Sequence, residues 1–105
     1  MPVSTIDPGT MHQAAEQASR LLKALSNPDR LLILCELSGG ERCVGELEAE
    51  LGILQPTLSQ QLTVLREEAL VDTRREGRQI YYSVRSPQAL AVLKVLYQQF
   101  CGKNR

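Results

Sequence analysis

The chain has 105 residues, enough for one compact domain, and its 43% hydrophobic and 23% charged residues suit a globular protein rather than a disordered or collagen-like one. With 12 Lys+Arg against 12 Asp+Glu, no global field draws it to an anion, so any anionic partner must be met by a local patch. The longest apolar run, Leu31 to Cys35, is too short to cross a bilayer, Met1 to Thr10 lacks a secretion-signal pattern, and Cys35, Cys43 and Cys101 are no disulfide framework; the expectation is a cytoplasmic protein without membrane contact.

Residues 1–10, with two prolines, a glycine and no periodicity, are expected to form a flexible arm ahead of one domain over residues 11–105. Ala14, Ala15, Ala18, Leu21, Leu22 and Leu25 follow the three-and-four spacing of an amphipathic helix over 11–25. Asn27 as N-cap, Pro28 at a first helical position and Asp29 at the positive end of the dipole open a second helix, which reaches Leu37 and stops at Gly39-Gly40. Glu41-Arg42-Cys43 reads as a brief extended segment before a third helix, Val44 to Leu51, closed by Gly52.

Gln55-Pro56 starts a fourth helix, expected to reach Ala69, and two short helices across a glycine-bearing turn outline a helix-turn-helix. Val71 to Arg85 alternates about Glu76-Gly77-Arg78 as a β-hairpin does, and Ser86-Pro87 opens a last, broadly apolar helix over 88–101. On the fourth helix Leu58, Leu62, Leu65 and Ala69 form a stripe to be buried, while Gln55, Thr57, Ser59, Gln60 and Thr63 fall elsewhere. No charge occurs from Gln55 to Leu65, and amides and hydroxyls are what a helix needs to donate to and accept from base edges in a major groove. Gln61 lies nearer the stripe and is the weaker candidate. Arg74, Arg75 and Arg78 on the hairpin suit phosphate contacts or entry into a minor groove.

Four blocks carry a resemblance: Ala24-Leu25-Ser26-Asn27-Pro28-Asp29-Arg30-Leu31, Cys43-Val44-Gly45-Glu46-Leu47, Gln55-Pro56-Thr57-Leu58-Ser59-Gln60-Gln61-Leu62 and Arg75-Glu76-Gly77-Arg78-Gln79-Ile80-Tyr81-Tyr82. In this order they resemble the ArsR/SmtB winged-helix repressors over residues 14–101. The resemblance implies a mainly α fold with a β-hairpin wing, a winged helix-turn-helix of about five helices. It further implies a homodimer that represses by binding inverted repeats in double-stranded DNA and releases them when an inducer binds, with no enzymatic activity and no cofactor. The fourth helix is then expected in the major groove, with the hairpin as wing.

Many members of that family sense metals, but the ligands are missing here. Cys43-Val44-Gly45 has glycine where a Cys-x-Cys site needs its second thiol, Ser86 to Cys101 contains neither Asp nor His, and the sole histidine, His12, sits in a first helical turn. Cys35 and Cys101 remain, one in the second helix and one at the end of the last, a placement that resembles the branch of the family answering hydrogen sulfide, persulfides or oxidants. The implied inducer is a reactive sulfur species that modifies this dithiol. Cys35, following Leu31 and Leu32, is expected to be buried, and Cys101 accessible. A metal or arsenic sensor using Cys43 and a small thiol enzyme stay open as alternatives. The enzyme would want a positioned base near its nucleophile. Ala91, Val92 and Val95 on the last helix, with apolar surface on the first, are expected to join two subunits.

Overall fold

The computed structural model describes residues 7–102. Five helices and three strands follow in chain order: α1 (Pro8–Leu25), α2 (Pro28–Leu37), β1 (Arg42–Cys43), α3 (Val44–Leu51), α4 (Gln55–Glu67), β2 (Val71–Glu76), β3 (Gln79–Val84) and α5 (Pro87–Phe100). The first helix starts three residues earlier than its apolar spacing indicates. The Asp7 carboxylate accepts from the Thr10 N–H at 3.0 Å, and Pro8 takes the first helical position, where its missing N–H costs nothing. Of the arm expected over residues 1–10, residues 1–6 lie outside the described residues and Pro8 to Thr10 are helical.

Local chemistry sets the other helix starts. Asn27 accepts from the Arg30 N–H and Ser86 from the Ala89 N–H, each at 3.0 Å, while the Glu46 carboxylate reaches back to the Cys43 N–H at 3.0 Å. Gly52 ends α3 with φ 71°, the left-handed conformation that a residue without Cβ adopts freely. Ile53 then turns into the core and Leu54 caps α4 without a side-chain hydrogen bond. Pro56 sits within the first turn of α4, where N–H groups have no intrahelical acceptor.

The end of α4 departs from expectation. The helix stops at Glu67, and Ala69, expected in the buried stripe, is exposed with φ 59°. Its N–H donates to the Arg66 carbonyl at 2.9 Å and the Leu70 N–H to the Leu65 carbonyl at 3.0 Å, the paired bonds of a Schellman motif. Leu70 takes the core place instead, and the Arg85 N–H donates to its carbonyl at 2.8 Å, tying the helix exit to the far end of the hairpin.

The strands form one antiparallel sheet in the order β1-β3-β2. Glu76 pairs with Gln79 across a two-residue loop of Gly77 and Arg78, and positive φ at Gly77 but not at Arg78 marks the II′ turn that suits the twist of a hairpin. Ile33, Leu34, Leu47, Leu58, Leu62 and Leu65 are the largest fully buried side chains, so α2, α3 and α4 pack around one apolar centre. Val71 and Tyr82 from the sheet and Ala89 and Leu93 from α5 close it. From α1 only Ala24 and Leu25 are buried; residues 8–20 are exposed along their whole length.

Ala69 holds a conformation that disfavours any Cβ. Ala69→Gly is expected to stabilise the fold by about 0.5 to 1 kcal/mol, the relief of left-handed strain exceeding the entropy of a glycine in the unfolded chain. A denaturation midpoint that rises at unchanged slope is the expected readout.

Candidate nucleic-acid interface and thiol pair

Burying Leu58, Leu62 and Leu65 turns the remaining arc of α4 outward, and Gln55, Thr57, Ser59, Gln60 and Thr63 are all exposed on it. The Thr63 hydroxyl donates to the Ser59 carbonyl at 3.0 Å, which fixes its rotamer and leaves its lone pairs facing solvent. Gln61 is half-buried and engaged: its Oε1 accepts from Arg30 Nη1 at 2.8 Å. The same guanidinium donates from Nε to the Ala24 carbonyl at 2.7 Å and from Nη2 to the Lys23 carbonyl at 3.4 Å, capping the end of α1 while it grips α4.

The three arginines of the hairpin separate into two kinds. Arg75 and Arg78 are exposed, and no ion pair holds either among the described residues. Arg74 instead donates from Nη2 to Glu41 Oε1 and from Nη1 to Glu76 Oε1, each at 2.6 Å, and lies 4.9 Å over the Tyr81 ring. These contacts hold Glu41 below the usual carboxylate range, the hydrogen bond from Arg74 being the main cause. Arg74 thus braces the hairpin against the loop before β1. Glu41 and Arg74 lie 33 positions apart, so no local pattern signals the pair; nor does any signal the Arg30 grip on Gln61, 31 positions away.

The thiols also differ from expectation in one respect. Ile33, Leu34 and Leu37 supply the core face of α2, so Cys35 projects from its other side and is exposed, not buried. It borders an open groove of about 620 Å³ between α2 and α5, with Leu32, Leu51, Leu90, Leu93, Lys94 and Tyr97 among its walls. Leu90, Lys94, Tyr97 and Cys101 recur along one strip of α5, and Cys101, exposed, caps that helix. The Cys35 thiol is pushed above its ordinary value by partial burial, then by the nearby Cys101 thiol, then by Glu36. Cys43 is buried at the start of α3, on the other flank of the core. Among the described residues no group of three or more His, Cys, Asp or Glu could hold a metal ion.

The raised Cys35 value keeps it a neutral thiol near pH 7, and reactivity follows the thiolate. Its alkylation rate by iodoacetamide should climb with a midpoint above that of free cysteine. Cys101→Ser removes one of the causes and should move that midpoint down; an unchanged midpoint would separate the two thiols.

Comparison with known proteins accords with this arrangement. Residues 27–73, from the N-cap of α2 into β2, match the model of the bacterial regulatory protein, arsR family. The chain is 51% identical over 92 residues to the biofilm growth-associated repressor of Agrobacterium fabrum, covering 88% of this chain and 79% of that one. The crystal structure of the transcriptional repressor BigR from Xylella fastidiosa superposes with a TM-score of 0.85 at 46% identity, over 93% of this chain and 100% of that chain. The homodimeric winged helix-turn-helix DNA-binding domain of a possible ArsR-family regulator from Mycobacterium bovis superposes with a TM-score of 0.72 at 31% identity, over 86% of this chain and 83% of that one. With α3 and α4 forming the helix-turn-helix and β2-β3 its wing, the chain belongs to the arsR family of bacterial regulatory proteins.

Proposed function

We propose that this protein is a homodimeric transcriptional repressor that releases its operator when Cys35 and Cys101 of a subunit become joined through sulfur. The observation that carries the first half is the exposed, uncharged arc of α4 beside a wing bearing two unpaired arginines. Gln55, Thr57, Ser59, Gln60 and Thr63 read base edges in the major groove, and Arg75 and Arg78 hold the backbone, with Arg74 adjoining them at the braced middle of β2. Dimerisation is supported by Leu22 of α1 and Val95 and Phe100 of α5, exposed by 58%, 54% and 79%, and by the homodimeric relative. Val92, expected among these, is half-buried against the core. Twofold symmetry makes the operator an inverted repeat with half-site centres about 10 bp, or a multiple, apart.

The second half is supported by the groove linking α2 to α5 and by the influence of Cys101 on the Cys35 thiol. A low-molecular-weight hydropersulfide, RSSH, is the inducer. The Cys101 thiolate takes the outer sulfur of one RSSH, releasing RSH, and the resulting persulfide extends itself from a second RSSH in the same way. Cys35 then gives up its proton and attacks the central sulfur, and the hydrosulfide that leaves takes up a proton as H₂S, so the bridge is Cys35–S–S–S–Cys101, counting both cysteine sulfurs. Two RSSH and two thiols become one trisulfide, two RSH and H₂S, the sulfane sulfur being reduced as the cysteines are oxidised. The bridge ties α5 to α2, and with it the expected dimer helix to the element that carries Arg30. A change of a few kcal/mol between the two dimer states is enough to empty an operator.

Sedimentation should show a dimer at micromolar concentration; a monomer there would remove the symmetric-operator reading. In gel-shift titrations Gln60→Ala or Ser59→Ala should lose about 1 to 3 kcal/mol on the operator and little on random DNA. Arg78→Ala should weaken binding to both and flatten the salt dependence. Cys35→Ser and Cys101→Ser should each bind DNA as wild type does yet ignore persulfide, while Cys43→Ser stays inducible. A double Cys35/Cys101 mutant that still releases DNA would place the inducer site elsewhere.

A further inference from the structure

Among the described residues, most large apolar side chains that are exposed lie on α1, α2 and α5, where the proposed dimer and the thiol groove meet them. Leu54 does not. It is 72% exposed, stands at the N-cap of α4, and is followed by the polar residues of the reading arc. Its neighbour Ile53 is 8% exposed, so the turn buries one apolar side chain in the core and leaves the next in solvent. Among the described residues nothing covers Leu54, and as a cap it contributes no side-chain hydrogen bond that would explain a surface position.

Residues at the start of a recognition helix are those that reach base edges when the helix enters the major groove. That groove is lined by hydrogen-bonding edges with one apolar exception, the C5-methyl group of thymine. We infer that Leu54 is a specificity residue that packs on a thymine methyl group in each half-site of the operator. The inference rests on the DNA-reading role of α4. It adds a discrimination that the amide and hydroxyl arc cannot make, because Gln and Ser read donors and acceptors while Leu54 reads the presence of carbon. Covering one methyl-sized group contributes on the order of fourfold in affinity per half-site, hence about fifteenfold for a symmetric dimer.

Replacing thymine by uracil removes the methyl group and leaves every hydrogen-bonding edge intact. The experiment uses the full chain and a site it selects from a random duplex library, with thymines changed to uracil one symmetric pair at a time. For wild type, one pair should cost about fifteenfold in Kd. Leu54→Ala should bind the thymine and uracil versions of that pair alike, and Leu54→Met, which keeps an apolar reach, should restore a difference. Equal wild-type binding at every substituted pair would overturn the inference, as would a uracil penalty that persists undiminished in Leu54→Ala. Failure of wild type to select any site would overturn the DNA-reading role itself and this inference with it. Selection of a site that Leu54→Ala and wild type read identically would overturn this inference alone.

Discussion

One guanidinium gives direction to the seating of α4, which Leu58, Leu62 and Leu65 anchor in the core. Arg30 stands at the start of α2 and donates to two carbonyls at the end of α1 and to Gln61 on the rim of α4. Three helices that meet largely through apolar side chains thereby acquire a polar, directional link, in addition to the Arg20–Glu68 pair between α1 and the end of α4, and the hydrophobic effect alone supplies no direction. Its donors are bound at both ends of the link, so a shift of α1 relative to α2 reaches the reading helix through hydrogen bonds with defined geometry. Gln61 pays for that link by leaving the reading arc, which is why it lies half-buried while Gln60 beside it faces outward.

Some arginines of this chain pair with its own carboxylates. Arg42 lies between Glu36 and Glu50, Arg20 pairs with Glu68, and Arg74 sits between Glu41 and Glu76. These pairs lie at the surface, with Glu36, Arg42 and Glu68 half-buried, and surface pairs contribute little stability one by one. Their effect is on the distribution of field: with Arg74 neutralised by two carboxylates, the outer wing is left to Arg75 and Arg78. A chain of zero net charge can in this way present positive potential at one protruding tip.

The helices, the hairpin and the outward arc of α4 were legible because their signals are local. Asn27, Ser86, Gly52 and Gly77 act within a few residues of themselves, and the leucine spacing of α4 states which side is buried. Legibility failed where partners are distant or where neighbours compete for one core. Cys35 sits in an apolar run, yet Ile33, Leu34 and Leu37 already fill the core side of α2, and a helix has only one such side to offer. Ala69 continued the spacing of the stripe, but Leu70 is larger and takes the pocket once the chain turns left-handed. The division of the wing arginines needed Glu41, which no pattern near the hairpin announces.

The Schellman turn at the end of α4 joins that helix to the wing with almost no slack. Two backbone bonds close the turn at Ala69 and Leu70, and a third, from the Arg85 N–H to the Leu70 carbonyl, fastens the opposite strand to the same residue. A flexible tether there would let the wing stay on the duplex while the helix tried successive grooves, giving a half-attached species. With the joint closed by these bonds, the groove and backbone contacts proposed for helix and wing would form and break as one body, and a tilt of α4 would carry the wing with it.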